Sequence, residues 1–408
     1  MRTFQYASAL LLAAALAACT TAPPIIAPVP RATPQPAIAA SSLPAIYQPA
    51  SFADLPGWND DRADLAWPAF EVGCKRLVTM ANTQATWQPV CADAAALAGV
   101  DAAHARTFFE KHFSVWKVTA ADGNDKGVVT GYYEPLLSGS RTPGAQYVTP
   151  LYAPPDDLLR VDLASLYPEL AGKRARARVD GRSVVPYWTR ADIEQGRAPL
   201  AGKVLVYVDS AVDAFFLEIQ GSGRVRLADG SVIRVNYADQ NGQPFRSVAR
   251  VLIDRGELTA DRASMQAIRA WGREHPDKLP ALLDENPSYV FFRVVPPPAP
   301  GTLEALIDGP IGSLGVPLAR ERSIAVDARA VPLGAPVYLA TTRPLSDEPL
   351  QRLVMAQDTG GAIRGAVRAD FFWGFGDDAA REAGRMKQPA RMWLLWPLDA
   401  GVPHVPPP

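Results

Sequence analysis

Asp358-Thr359-Gly360-Gly361-Ala362-Ile363-Arg364-Gly365, followed two residues on by Arg368-Ala369-Asp370-Phe371-Phe372-Trp373-Gly374, is the densest polar constellation in the chain. Residues 353–357 before it have strand character, so two aspartates follow a strand and bracket a loop with three glycines and two arginines. Glycine at such a corner permits positive φ and lets a bulky ligand approach the backbone closely. The rings of Phe371, Phe372 and Trp373 supply an apolar wall to desolvate one carboxyl and raise its pKa. A carboxylic acid that stays protonated near neutral pH donates a proton to a leaving oxygen, as breaking a glycosidic bond requires. A plainer reading stands beside this one, with Asp358 capping turn amides and Asp370 paired to Arg364 or Arg368. An aspartic-protease reading of Asp-Thr-Gly needs two such loops sharing a proton, and the chain has one.

Outward from this loop, residues 301–398 are β-rich, with strands predicted at 323–327, 336–339, 353–357 and 392–396. Corners such as Pro332-Leu333-Gly334 separate them, and short strands at fairly even spacing suggest a small barrel. Residues 127–134 form a further strand, Gly127-Val128-Val129-Thr130-Gly131-Tyr132-Tyr133-Glu134, stopped by Pro135. The middle region has strands predicted at 203–209 and 214–220 and a hairpin turning at Asp229-Gly230. Two helical stretches, 247–254 and 264–274, precede strand character at 289–293. Residues 52–118 carry helix-like apolar spacing, with Trp58, Trp67 and Trp87 interspersed, and read as a small helical preface.

The N-terminus sets the compartment. Arg2 gives a small positive n-region, residues 9–16 form an apolar run too short to span a bilayer, and Leu16-Ala17-Ala18-Cys19 follows. Small residues before a cysteine are what a lipoprotein signal peptidase reads, leaving Cys19 to carry the lipid. Several acyl chains hold a membrane far more firmly than one. Thr20, in place of an aspartate, favours the periplasmic face of the outer membrane. The Pro, Ala and Ser stretch up to about residue 50 cannot bury a core and reads as a tether, and residues 400–408 as a disordered tail. Apart from Cys19 there are two cysteines, Cys74 and Cys91, expected to form a disulfide in an oxidising periplasm.

At 408 residues, 48% hydrophobic and 20% charged, the chain is long enough for two domains. A net charge of −1 gives no overall field to attract nucleic acid. Gln220-Gly221-Ser222-Gly223 is neither a nucleophile elbow nor a phosphate loop, and no histidine sits in a recognisable motif near Ser222. No His-Glu-x-x-His or similar cluster occurs, so neither a metal nor another cofactor is expected. Asn236-Tyr237-Ala238-Asp239-Gln240-Asn241-Gly242 gathers amides and an aromatic face of the kind that suits sugar hydroxyls and acetamido groups.

Taken together these strings resemble the membrane-bound lytic murein transglycosylase A family. The matching pieces, in family order, are Gly131-Tyr132-Tyr133-Glu134-Pro135, Phe216-Leu217-Glu218-Ile219-Gln220-Gly221-Ser222-Gly223, and Asn236-Tyr237 through Asn241-Gly242. Asn286-Pro287-Ser288-Tyr289-Val290-Phe291-Phe292, the Asp358 loop, and Asp370 with Gly374 complete them. The resemblance implies a mainly β protein: a double-psi β-barrel from residues 51–135 and 290–399, with a second β-domain, 136–289, inserted and a glycan groove between the two. Residues 313–396 resemble the family's aspartate-rich "3D" region, with Asp327, Asp358 and Asp370 as its three acids. It implies Asp370 as the catalytic acid and Asp358 as a supporting carboxylate. The expected glycan contacts are Tyr132, Tyr133, Glu134, Gln220, Ser222, Gly223, Asn236, Tyr237, Gly360, Gly361 and Arg364. The implied partners are peptidoglycan glycan strands, the membrane through Cys19, and other cell-wall enzymes. A catalytically dead glycan-binding lipoprotein, with both aspartates structural, is the alternative from another class.

Overall fold

A computed structural model describes residues 45–167, 170 and 175–405. The expected signal peptide, Cys19 and most of the tether lie outside these residues.

Strand β1 (Ile46–Ala50) is followed by helices α1 (Trp67–Leu77), α2 (Gln84–Ala95) and α3 (Ala102–His112), then β2 (Phe113–Thr119) and β3 (Gly127–Glu134). The middle region begins with β4 (Leu136–Ser140), β5 (Thr149–Tyr152), β6 (Leu159–Val161), β7 (Ala175–Asp180) and β8 (Ser183–Pro186). It continues with α4 (Arg190–Glu194), β9 (Val204–Val208), α5 (Ala211–Gln220), β10 (Ser222–Leu227) and β11 (Val232–Gln240). Helices α6 (Val248–Asp254), α7 (Met265–Glu274) and α8 (Leu279–Asp284) lead to β12 (Val290–Val295). After α9 (Leu303–Ile307) come β13 (Ser323–Val326), β14 (Pro336–Thr342), β15 (Pro349–Asp358) and β16 (Arg368–Phe375). Helix α10 (Gly376–Ala383) and β17 (Lys387–Pro397) complete the order.

Strands β17, β14, β15, β13, β16 and β3 are hydrogen-bonded in that sequence, and β3 returns to β17 through pairs from Lys387 with Thr130 to Ala390 with Gly127. The ring is closed and leaves these strands without an open edge. Two contacts in it are parallel, β13 with β15 and β16 with β3. The chain is mainly β, as the sequence suggested. Strand β2 extends the sheet along the other half of β17, and β1 pairs with β2. The segment expected to end the tether therefore contributes an edge strand. Nor is the whole C-terminus a loose tail, since the His404 ring packs edge-on against Trp396.

The helical preface belongs to the main core. Trp67, Phe70, Phe108, Phe109 and Phe113 pack ring to ring, and Trp87 meets Trp396 of β17 edge-on. Cys74 of α1 and Cys91 of α2 are joined by a disulfide. Asp61 forms a buried ion pair with Arg322 at 2.9 Å and accepts the Leu353 amide at 2.8 Å. Phe113–Thr119, read as the end of the preface, is a strand.

The middle region is mixed rather than purely β. Its main sheet runs β12-β11-β10-β4-β9-β5, and β6, β7 and β8 make a second, small sheet. The predicted strand at 214–220 is helix α5. Ser210 caps it by accepting the Asp213 amide, and Gly221 ends it at φ +81°. Its apolar residues are buried nearly all round, so they lack the one-sided period that marks a helix. Strand β12 pairs with β11, not with the barrel, which moves the expected boundary at 289/290 beyond Val295. The chain leaves the barrel through Pro135 alone, between β3 and β4. Its return is stitched to the middle sheet: Asp308 binds Arg224 and Arg234 at 3.0 Å, and Asn236 exchanges two hydrogen bonds with Ile311.

Candidate active site

Strand β13 is the floor of the site. Its Ala325 pairs with Asp370 of β16 on one side and with Asp358 of β15 on the other, and Asp370 pairs in turn with Thr130 of β3. Residues directly across from one another share a face, so these four stand in one row. The pairing of β13 with β15 jumps from Ile324–Ala356 to Ala325–Asp358. This bulge re-aims the strand. Gln357 is fully buried and bonds Ser323 and the Ala69 carbonyl, both at 2.7 Å, while Asp358 takes the place opposite Ala325. Ala325, Tyr132, Phe372, Leu318 and Ile363 form a small apolar cluster around the row.

Asp370 is half-buried. Its Oδ1 accepts a hydrogen bond from the Thr130 hydroxyl at 2.7 Å, and Arg368 Nη2 donates to that hydroxyl oxygen at 2.8 Å. Among the described residues no protein donor reaches Oδ2, and neither Arg364 nor Arg368 forms an ion pair with the carboxyl. Burial raises the Asp370 pKa to about 6; Thr130 and Arg368 oppose the rise and the Asp358 charge adds to it.

Asp358 is held more tightly. Its Oδ1 accepts from the Ser313 amide and hydroxyl, both at 2.9 Å, and its Oδ2 from the Tyr132 hydroxyl at 3.1 Å. Burial pushes this carboxyl up as well, against the pull of those donors. Burial and the two neighbouring carboxylates push the Tyr132 hydroxyl well above its ordinary value, which keeps it a donor.

The third acid has a different task. Asp327 receives Arg329 through two nitrogens and the Gly365 amide at 2.9 Å. Burial works to raise its pKa, but these donors outweigh it and the carboxyl is held below its usual range. Gly365 sits at φ +114°, where a side chain is strained, so the loop after Asp358 is clipped by its backbone. Arg364 Nη1 spans the same loop to the carbonyls of Gly360 and Ile363. The aromatic wall is smaller than expected. Side chains alternate along β16, so Phe371 and Trp373 enter the main core and only Phe372 shares the face of Asp370.

The structure bonds Tyr132 to Asp358 and sets Gly360, Gly361 and Arg364 in the loop that follows that acid. It places the other expected glycan contacts at the junction with the middle region. Glu134 is 1% exposed and paired with Arg224 at 2.8 Å, and Asn236 spends its amide on Ile311, so both hold structure together. Tyr133 is buried, and its amide donates to Gln220 Oε1 at 3.1 Å. Ser222 is buried, and a Cβ at Gly223 would stand 2.3 Å from Leu217, while Tyr237 is half-buried. Sequence reasoning missed Thr130 and Ser313 as partners of the acids. The alternation that puts Thr130 and Tyr132 on one face of β3 was a signal for the first. Among the described residues no group of three His, Cys, Asp or Glu could hold a metal ion. Concavities of about 370 and 400 Å³ lie along the preface, the second bordered also by Leu303 of α9, and neither is lined by Asp358 or Asp370.

Residues 128–293 match the MltA specific insert domain and residues 322–396 match the 3D domain. Membrane-bound lytic murein transglycosylase A of Escherichia coli K12 is 33% identical over 308 residues, 73% of this chain and 72% of that protein. Among solved structures, MltA from Neisseria gonorrhoeae in its monoclinic form has a TM-score of 0.77 at 36% identity, covering 91% of this chain and 96% of that one. E. coli MltA with bound chitohexaose has a TM-score of 0.60 at 27% identity, covering 87% and 95%.

Proposed function

The chain belongs to the membrane-bound lytic murein transglycosylase A family, and on that premise we propose that it cleaves the β-1,4 bond between N-acetylmuramic acid and N-acetylglucosamine in peptidoglycan, with Asp370 as sole acid and base. The supporting observation is the contrast between the two carboxyls. Asp358 is pinned by Ser313 and Tyr132, whereas Asp370 is drawn to a pKa of about 6 with one oxygen that no donor among the described residues reaches.

Hydrolysis by paired carboxylates needs a second group to attack or to activate water. Here the substrate's own C6 hydroxyl takes that part. Asp370 gives its proton to the glycosidic oxygen as the C1–O bond breaks. Its carboxylate then takes the C6 hydroxyl proton as O6 closes on C1, leaving a 1,6-anhydromuramic end and a reprotonated acid. The internal nucleophile gains from proximity provided water is kept out. Tyr132, Gly360, Gly361 and Arg364 line the reacting end, and Gln220 and Tyr237 lie toward the middle region, along the proposed trough. Acylated Cys19 would anchor the protein to the periplasmic face of the outer membrane, beside other cell-wall enzymes.

Digestion of purified sacculi by wild type and Asp370→Asn, read by mass spectrometry, tests this. Wild type should release anhydro-muropeptides, one water lighter than hydrolase products, and the variant about a thousandfold less. Undiminished anhydro products from Asp370→Asn would remove the assignment, and reducing ends from wild type would make the enzyme a hydrolase.

A further inference from the structure

We infer that Arg368 and Thr130 form a positioning pair that confines the reactive proton of Asp370 to Oδ2, the oxygen that no donor among the described residues reaches. The inference rests on the reading of Asp370 as the acid and base and specifies which of its oxygens does the work.

The argument is one of donor counting. A guanidinium has only donors, so at 2.8 Å from Arg368 Nη2 the Thr130 oxygen must accept. The single hydroxyl proton is then left for Asp370 Oδ1, 2.7 Å away. Oδ1 is therefore an acceptor whether the carboxyl is charged or neutral. A proton placed on Oδ1 would force the Thr130 proton off it, and that proton has nowhere better to go, since Arg368 offers only donors and no other described residue accepts it. The neutral acid consequently carries its proton on Oδ2. Arg368 is itself fixed, because Nη1 donates to the Ala369 carbonyl and, at 3.4 Å, to that of Val128. The parallel pairing of β3 with β16 sets Thr130 opposite Asp370, so the arrangement is built into the barrel.

The pair also bears on the return of the proton. After donation the carboxylate keeps the Thr130 hydrogen bond and the nearby Arg368 charge, and both favour the anion. Asp358 from β15 and the Tyr132 hydroxyl from β3 also face Asp370, Lys387 of β17 stands across from Thr130 on the far side of β3, and Ala325 of β13 carries no charge. Removing either member of the pair should raise the acid's pKa and free the proton to occupy Oδ1.

The test uses the full chain on soluble glycan strands with Thr130→Val, Thr130→Ser, Arg368→Gln and Arg368→Lys, and Asp370→Asn alongside. Thr130→Val and Arg368→Gln should lower kcat about tenfold with KM unchanged and move the basic limb of the kcat/KM profile up by about half a pH unit or more. Thr130→Ser should restore both kcat and the limb. Arg368→Lys, which keeps the charge but not the fork, should hold the limb near its original place and recover only part of kcat. Loss of activity in Thr130→Val and Arg368→Gln with an unmoved limb, or no rescue by Thr130→Ser, would overturn the inference. Should the valine or glutamine variant fail to fold, Thr130→Ala and Arg368→Ala remove the same donors and carry the same expected fall in kcat and upward shift of the limb. Full activity in Asp370→Asn would instead sink the reading beneath it, whatever the pair does.

Discussion

At the scale of the residue, the site depends on one carboxyl made uncomfortable as an anion. Burial lifts Asp370 from 3.8 to about 6, so its charged form costs folding free energy that an ordinary surface aspartate does not. The sign follows from comparing the two states. Well below pH 3.8 the group is protonated both folded and unfolded, and it contributes no penalty. As pH climbs from there to about 6 the unfolded chain loses the proton first, and the penalty grows; above about 6 it is constant. Asp370→Asn should therefore stabilise the protein at pH 8 by on the order of 2 kcal/mol, and the gain should shrink to a small fraction of that at pH 4. Paired thermal melts of wild type and variant across that range check it. A gain that is equal at both ends would mean the asparagine packs better and that the charge is not what costs. Asp327, whose carboxyl is held low by Arg329 and two amides, should behave in the opposite sense, since Asp327→Asn removes stability at pH 8 that is already gone in acid. The two aspartates thus share a family motif while doing unlike physical work.

At the scale of the element, strand β3 carries Thr130 and Tyr132 on the face of the acids, with Gly131 between them on the other. A Cβ at 131 would lie 2.7 Å from the Trp373 ring nitrogen and 2.8 Å from the Ala383 backbone. Neither neighbour can yield without moving β16 or α10. Gly131→Ala should cost about 1–3 kcal/mol in urea unfolding and lower activity too, because any shift of β3 displaces Thr130 from Asp370. Gly361→Ala is the control: its Cβ meets nothing within 4 Å, so stability should hold. Alternation and punctuation explain which elements were legible in the sequence. Strand β3 announced itself through β-branched and aromatic residues ended by proline, and the β10–β11 hairpin through Asp229-Gly230, with Gly230 at φ +84°. Helix α5 was hidden because burial on nearly every side erases its period, and β16 because arginine, aspartate and glycine disguise a strand whose other residues fill the core. The bulge that sets Asp358 across from Ala325 is a property of register between strands, which no local pattern encodes. Thr130 escaped notice for a similar reason, as its partners lie 238 and 240 residues away.

At the scale of the whole molecule, the question is whether the helical preface is an appendage or a part of the barrel. Its aromatic side chains share one core with β2, β14 and β17. The bond from Gln357 to the Ala69 carbonyl ties α1 to the strand that presents Asp358, and the Asp61–Arg322 pair ties the preface to the start of β13. A preface so connected should not melt alone. The Cys74–Cys91 disulfide closes a short stretch, 17 residues apart in sequence, within that unit. Its loss should cost about 2–4 kcal/mol, chiefly by freeing the unfolded chain. The cost should fall on the whole core instead of on two helices. Replacing both cysteines with serine, Cys74→Ser with Cys91→Ser, should thus lower the melting temperature without splitting the transition. Activity well below that temperature should stay close to wild type, since the bond touches neither acid. Calorimetry with a parallel activity assay decides the matter. An early, separate transition accompanied by intact activity would show that the barrel holds Asp358 and Asp370 in place without its helical brace.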